Sequence, residues 1–386
     1  MRQEFLSFSP PSIGPEEIEA VVETLRSDWI TTGPKTQRFE AAFAEHAGAP
    51  YALAVNSCTA AMHLALAAWG IGPGDEVITT PYTFCSTANV ILHVGARPVL
   101  ADVCPDDLTI DPAAIAAAIT PRTKAILPVH FAGQPGRMDD LLALAARHGL
   151  LVLEDAAHAV GARYRGRPVG SLGDATAFSF YATKNLTTAE GGMLTTADAA
   201  LAERARRLGL HGMSRDAWKR YSVEGSWFYE VVEAGFKYNM TDIQAALGLV
   251  QLGKQPVFQA RRAAIVAAYA AGLGDLPALQ LPTARPEVDH AWHLYGIRLR
   301  PGALRITRAE AIEELRRRNI GASVHFIPLN LHPYYREHLG WAPGQFPVAE
   351  AAYAGAISLP LHPRLTDADV ADVVAAVREI VTVFAA

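Results

Sequence analysis

Lysine is scarce in this chain: its 386 residues include six, at positions 35, 124, 184, 219, 237 and 254, against 28 arginines. Where only a positive charge is wanted, arginine supplies it. Arginine never deprotonates in a protein, so it cannot attack a carbonyl, and a retained lysine asks for a chemical reason. Cysteine is equally thin. Cys58, Cys85 and Cys104 are odd in number and widely spaced, which excludes a disulfide framework or a four-cysteine cluster and fits a reducing compartment. No apolar run approaches the length that crosses a bilayer and no apolar leader core opens the chain, so the expectation is a cytoplasmic protein with no membrane partner. A formal charge of -5 and a pI near 6.2 give no field for nucleic acid, although amides and a few cations can still hold a phosphate locally. The segment NSCTAA at 56–61 is no G-x-G-x-x-G, which argues against a nicotinamide dehydrogenase.

What the chain has is apolar length. Half of its residues are hydrophobic, enough for a large core and a second, smaller one. Seven short apolar runs, at 52–55, 76–79, 98–102, 125–129, 150–153, 175–180 and 192–195, alternate with helix-like segments at 60–69, 86–94, 112–119 and 138–146. That alternation predicts an α/β fold: a mostly parallel seven-stranded sheet covered on both faces, followed by a smaller C-terminal α+β domain. The division is expected at 1–250 and 251–386. A helix is expected from the capped start at Ser12–Glu17 to about Ser27. Another should run from Thr241 toward Leu273 with a break near Pro256. Strands are expected at 290–297 and 322–327, and helices at 308–318 and 367–383.

One stretch, DATAFSFYATKNLTTAEGGMLTT at 174–196, places Lys184 between two apolar runs. Ser179 lies five residues upstream, where a hydroxyl can reach a phosphate, and Glu190-Gly191-Gly192 follows, where glycines permit a tight reversal against a bound group. The run at 150–153 ends in Glu154-Asp155-Ala156-Ala157-His158, an acid at the carboxyl end of a buried strand, where open α/β sheets place their ligands. Asn56-Ser57-Cys58-Thr59 leads from a strand into a helix, and free amides there make an anion site. Phe84, in TPYTFCS, offers a ring to stack on a flat cofactor. A pyridoxal phosphate site needs such parts: an amine for an imine link, an acid to keep the pyridine nitrogen protonated, and phosphate donors.

The loop at 29–35 reads as a surface connector or a piece of site wall. The insert at 209–235 carries Trp218, Tyr221, Trp227 and Tyr229 and lines either a binding surface or a subunit contact. His290 and His293 have no third ligand spaced to join them, so they are assigned to packing or hydrogen bonding and no metal is expected.

Seven segments carry a resemblance: WITTGP at 29–34, NSCTAAMHLAL at 56–66, PYTF at 81–84, EDAAHA at 154–159, SFYATKNLTTAEGG at 179–192, GFKYNMTDIQAALGL at 235–249 and SLPLHP at 358–363. In this order they resemble the pyridoxal-phosphate-dependent sugar aminotransferases of the DegT/DnrJ/EryC1/StrS type, which share the aspartate-aminotransferase fold (fold type I). The resemblance implies a homodimer with active sites at the subunit interface, and as substrates L-glutamate and a nucleotide-linked keto sugar. It implies that Lys184 holds the cofactor and moves the Cα proton. Asp155 would pair with the pyridine nitrogen, His158 with the phenolic oxygen, and Phe84 with the ring face, while Cys58, Thr59 and Ser179 bind the phosphate. Lys237 stands where many relatives place an asparagine that reaches the partner's phosphate, a contact that either becomes ionic or moves to Asn239. Cys58 replaces a common glycine, His158 a common glutamine, and Tyr181 a frequent histidine. Thr31, Thr32 and His325 are candidate sugar contacts by position. The segments WITTGP, EDAAHA and GFKYN resemble most the branch that makes UDP-4-amino-4-deoxy-L-arabinose from a UDP-4-keto-pentose. A dehydratase of the same fold would carry histidine in place of Lys184, and a noncatalytic cofactor-binding regulator would not need both Lys184 and Asp155.

Overall fold

A computed structural model of the chain describes residues 2–214 and 228–386. Strands β1 (Tyr51–Val55), β2 (Glu76–Thr79), β3 (Arg97–Leu100), β4 (Thr123–Ile126), β5 (Leu151–Asp155), β6 (Ala175–Ser179) and β7 (Gly192–Thr196) form one sheet. Their spatial order is β1-β7-β6-β5-β4-β2-β3. All neighbours are parallel except β7, which runs against both β1 and β6.

Successive strand residues point to opposite faces, and both faces are covered. Val77, Ala125, Leu153 and Leu194 join Leu64 of the helix Cys58–Trp69 in one buried cluster. Ile78, Ile126, Val152 and Met193 join Phe39 and Phe43 of the helix Pro34–Ala47 in the other. Two-sided burial is why these strands read as continuous apolar runs rather than alternating ones.

The helix Asp242–Leu273 runs unbroken for 32 residues, with Pro256 inside it, so the expected break does not occur. Its first turn is fixed by a capping box in which Thr241 and Gln244 exchange side-chain-to-backbone bonds. The helix packs against Pro15–Arg26 and Pro34–Ala47 on one side and Asp367–Val383 on the other. Burial along both flanks offsets the roughly 3 kcal/mol that an interior proline costs. It contributes Ala245 to the large-sheet core and Ile265, Tyr269 and Leu273 to a second one. That second core lies under a three-stranded antiparallel sheet of Leu279–Gln280, Tyr295–Leu299 and Ala356–Leu359, and Leu6 of the N-terminal arm is buried in it.

The first helix begins at Pro15, within the expected capped start and with proline in its first turn; Gly14 is the cap, and the Glu17 carboxylate accepts from the Gly14 amide at 2.8 Å. Two expected boundaries move. The strand expected from His290 begins only at Tyr295. Before it, Trp292 takes φ +46°, and the amides of Ala291 and His293 donate to Gly133 and Ala132 rather than to a strand. The segment expected as a strand at 322–327 makes a single bridge, Ser323 to Ser358. Trp218, Tyr221 and Trp227 of the aromatic insert lie outside the described residues.

Candidate active site

The carboxyl ends of β5 and β6, the start of the helix Cys58–Trp69 and Glu190 and Gly191 just before β7 meet at a cavity of about 520 Å³, within the roughly 300–1,000 Å³ typical of small-molecule sites. Ser57 caps that helix, its hydroxyl accepting from the Ala60 amide at 3.1 Å. The amides of Cys58 and Thr59 have no helical acceptor and end the helix at the cavity wall. Gly191 lines this corner and Gly192 opens β7 behind it. A β-carbon on Gly192 would lie 2.4 Å from the Ser57 carbonyl carbon and 2.5 Å from the Cys58 nitrogen. The glycine lets backbone approach backbone.

Asp155 ends β5 and is buried. Its carboxylate accepts from the Thr87 hydroxyl at 2.8 Å and from the Ala157 amide at 3.1 Å, and the Cys58 thiol lies 4.0 Å away. Burial raises its pKa despite these donors and Lys184. It therefore has reason to hold its negative charge only when a cation is placed against it.

Lys184 lies in the turn after β6, its amide donating to Tyr181 at 2.9 Å. Part of its side chain faces the cavity, while the surrounding protein screens it from bulk solvent. Burial pushes its amine down to about 8, with Asp155 and Cys58 pulling the other way. An amine near that value is a usable nucleophile and proton carrier near neutrality.

His158 is buried, and its Nδ1 accepts from the Ala132 amide at 3.3 Å. Burial, then Lys184 and His325, hold it well below the usual imidazole range, so Nε2 carries the single proton. Ser179 and Phe84 also line the cavity, and Phe84 is 60% exposed there, an exposure an aromatic ring needs if it is to cover a ligand. His325 lines the cavity too. Its Nδ1 lies 2.9 Å from the Ser358 hydroxyl, its ring stacks on Phe8, and burial together with Lys184 lowers it to about 4.

Thr31, Thr32 and Lys237 stand elsewhere. The Lys237 amine donates to Asn239 Oδ1 at 2.6 Å, Asn239 Nδ2 donates to the Thr32 hydroxyl at 2.6 Å, and the Thr31 carbonyl accepts from the Asp242 amide at 3.0 Å. Lys237 is exposed, and none of the three lines the cavity of its own chain.

Thr87, Asn185 and His293 are site residues that sequence reasoning did not single out for the site. A hydroxyl in the first turn of the helix Ser86–His93, directly after PYTF, was the available signal for Thr87. His293 and His290 act as expected in packing and hydrogen bonding: His290 stacks on Trp292 at 3.8 Å and His293 meets Asn185. Among the described residues one group has metal-ligand geometry, Cys104, Asp106 and Asp107. Arg137 and Arg285 already neutralise its carboxylates.

A buried strand-end acid, a depressed lysine, uncovered helix amides and an exposed ring in one cavity fit pyridoxal 5'-phosphate at its nitrogen, aldehyde, phosphate and face. The sequence profile of the DegT/DnrJ/EryC1/StrS aminotransferases matches residues 11–378. The chain belongs to this family. It is 55% identical over 381 residues to the spore coat polysaccharide biosynthesis protein SpsC of Bacillus subtilis, covering 98% of each chain. The putative sugar aminotransferase Spr1654 of Streptococcus pneumoniae, in its pyridoxamine phosphate (PMP) form, superimposes with a TM-score of 0.92 at 37% identity, covering 98% of this chain and 99% of that one. Helicobacter pylori PseC, an aminotransferase of pseudoaminic acid biosynthesis, does so with a TM-score of 0.92 at 32% identity, covering 99% and 100%. The protein is thus a pyridoxal-phosphate-dependent sugar aminotransferase of fold type I.

Proposed function

We propose that the enzyme transfers the amino group of L-glutamate to the carbonyl of a nucleotide-linked keto sugar, as a cytoplasmic homodimer in which residues 1–250 hold the cofactor and 251–386 complete the site. The observation that carries this reading is the meeting of the Lys184 amine, the Asp155 carboxylate and the free amides of Cys58 and Thr59 in one cavity.

Bound pyridoxal phosphate supplies an electron sink for the pair left when the Cα proton departs. Lys184 would take that proton and return it one position away, which its lowered basicity favours. The Asp155 carboxylate, its two oxygens fixed by Thr87 and the Ala157 amide, would hold a positive charge on the pyridine nitrogen. Cys58, Thr59 and Ser179 would hold the phosphate, Phe84 would cover the ring, and His158, protonated on Nε2, would donate to the phenolic oxygen. His325 contacts the sugar. Thr32 and Lys237, joined through Asn239, and the adjoining Thr31 serve the partner subunit's site, with Lys237 or Asn239 at its phosphate.

Within this class we favour a UDP-4-keto-pentose aminated to UDP-4-amino-4-deoxy-L-arabinose, on the resemblance of WITTGP, EDAAHA and GFKYN. Purified enzyme with L-glutamate and a panel of UDP-, dTDP- and GDP-linked keto sugars, read as 2-oxoglutarate release, tests it. Sustained release with the UDP-pentose is expected. Release with only another nucleotide sugar removes the pentose, and none with any member removes the nucleotide-sugar reading.

A further inference from the structure

Lys184 is followed by Asn185, a buried residue held from three directions. Its carbonyl accepts from the Gln255 side chain at 2.8 Å, and its Nδ2 donates to the Ala291 carbonyl at 2.7 Å. A carbonyl can only accept, so the amide orientation of Asn185 is fixed and its Oδ1 is the atom that faces His293. Oδ1 can only accept in turn, and it lies 3.1 Å from His293 Nδ1. His293 therefore carries its proton on Nδ1. His158 has the opposite tautomer, since its Nδ1 accepts from Ala132. The two rings lie 4.3 Å apart, both lining the cavity.

His293 is itself held. Its amide donates to Ala132 at 2.8 Å, and its carbonyl and that of Trp292 receive Arg262 at 3.5 and 3.2 Å. The segment enters this position through Trp292 at φ +46°, in the left-handed region that a bulky residue occupies at a cost. Such a cost persists where the surroundings fix it. Burial, followed by the neighbouring His158, Lys184, Arg262 and His325, keeps the His293 imidazole neutral, so the tautomer does not change across the working pH range.

We propose that His293 is a positioning residue for Lys184: its Nδ1–H, received by Asn185, locks the turn that carries the amine, and its ring sets the plane of His158. The proposal rests on Lys184 as the cofactor-bearing residue. It adds a second histidine whose contribution is orientation.

Amide side chains separate the two nitrogens of an imidazole. His293→Asn places a donor near Nδ1, whereas His293→Gln places one near Nε2 and leaves the Asn185 oxygen without its partner. In the cofactor-loaded enzyme, His293→Gln is expected to move the pH midpoint of the bound cofactor's absorbance by about one unit and to lower kcat about tenfold, with KM for the sugar within about twofold of the parent. His293→Asn should keep both within about threefold. A parental midpoint and kcat in His293→Gln, or an impaired His293→Asn beside it, overturns the proposal. Nitrogen-15 spectra of the unsubstituted holoenzyme give a reading independent of variant folding: a non-titrating His293 protonated on Nδ1 supports the proposal, and one protonated on Nε2 refutes it. Lys184→Ala separates this from the larger reading, because turnover in that variant would remove Lys184 whatever His293 does.

Discussion

The part of the site built on the large sheet and the part supplied by residues 290–293 and 325–326 satisfy their backbones by different means. Asp155 and Ser179 end strands whose amides and carbonyls are paired along a ladder. Around His293 and His325 the carbonyls are met by side chains: Arg262 at Trp292, His293 and Leu361, Gln259 at His290, Asn185 at Ala291, and Tyr82 at His325. A ladder survives the loss of any one side chain. A segment pinned by side chains does not, so the first region is rigid by repetition and the second by individual residues.

The largest effect expected on the ladder side is chemical rather than structural. Lys184→Ala should fold normally and release no 2-oxoglutarate from glutamate. Next comes pH. Only the neutral amine attacks an aldehyde, so with Lys184 near 8 the apoprotein's rate of pyridoxal phosphate capture should rise about tenfold per unit up to that value and level off above it. A flat profile between pH 6 and about 8, followed by stopped-flow absorbance, would contradict the depressed amine. The stability linkage has the same direction. The amine is lowered from 10.5 to about 8, so the cost of burying its charge is full below 8 and is relieved as pH rises from 8 toward 10.5.

Two substitutions then set the regions against each other. Gly192→Ala forces a β-carbon into the Ser57 and Cys58 backbone, and neither strand nor helix can yield cheaply. About 2–3 kcal/mol should be lost in denaturant unfolding, together with cofactor retention on dialysis. Arg262→Met strips the shared donor from Trp292, His293 and Leu361. It should cost about 1–3 kcal/mol and speed amide hydrogen exchange at 290–294 while that of β5 and β6 is unchanged. Equal acceleration in both regions would erase the distinction. Thr87→Val, which removes one hydroxyl from Asp155, should cost about 1 kcal/mol or less and lower kcat only a few-fold.

The same contrast explains what could be read from sequence. β1 to β7 were legible because two-sided burial writes itself as apolar runs, and Asp155 was legible because a strand end exposes its side chain to the crevice. HAWHLYGI at 290–297 reads as one strand, yet its first half is claimed by the Ala132–Gly133 carbonyls and turns at Trp292. No pattern of hydrophobicity records that competition. Pro256 misled for a related reason, since local propensity predicts a break and flanking helices outweigh it. Thr32 and Lys237 are brought together through Asn239, by a hydrogen bond between residues 207 apart in sequence. The tautomers of His158 and His293 depend on which neighbours donate and which accept, information that exists only after folding.

The reversed direction of β7 has its own consequence. Because it returns alongside β6, the segment that bears Lys184 is the tip of a hairpin whose two legs are zipped into neighbouring lanes of the sheet. Lys184 and the Ser179 hydroxyl are therefore joined by one short span of polymer, whereas Cys58 and Thr59 stand on a separate element, and an insertion that lengthens the tip should loosen the amine while leaving the amides at that helix start in place.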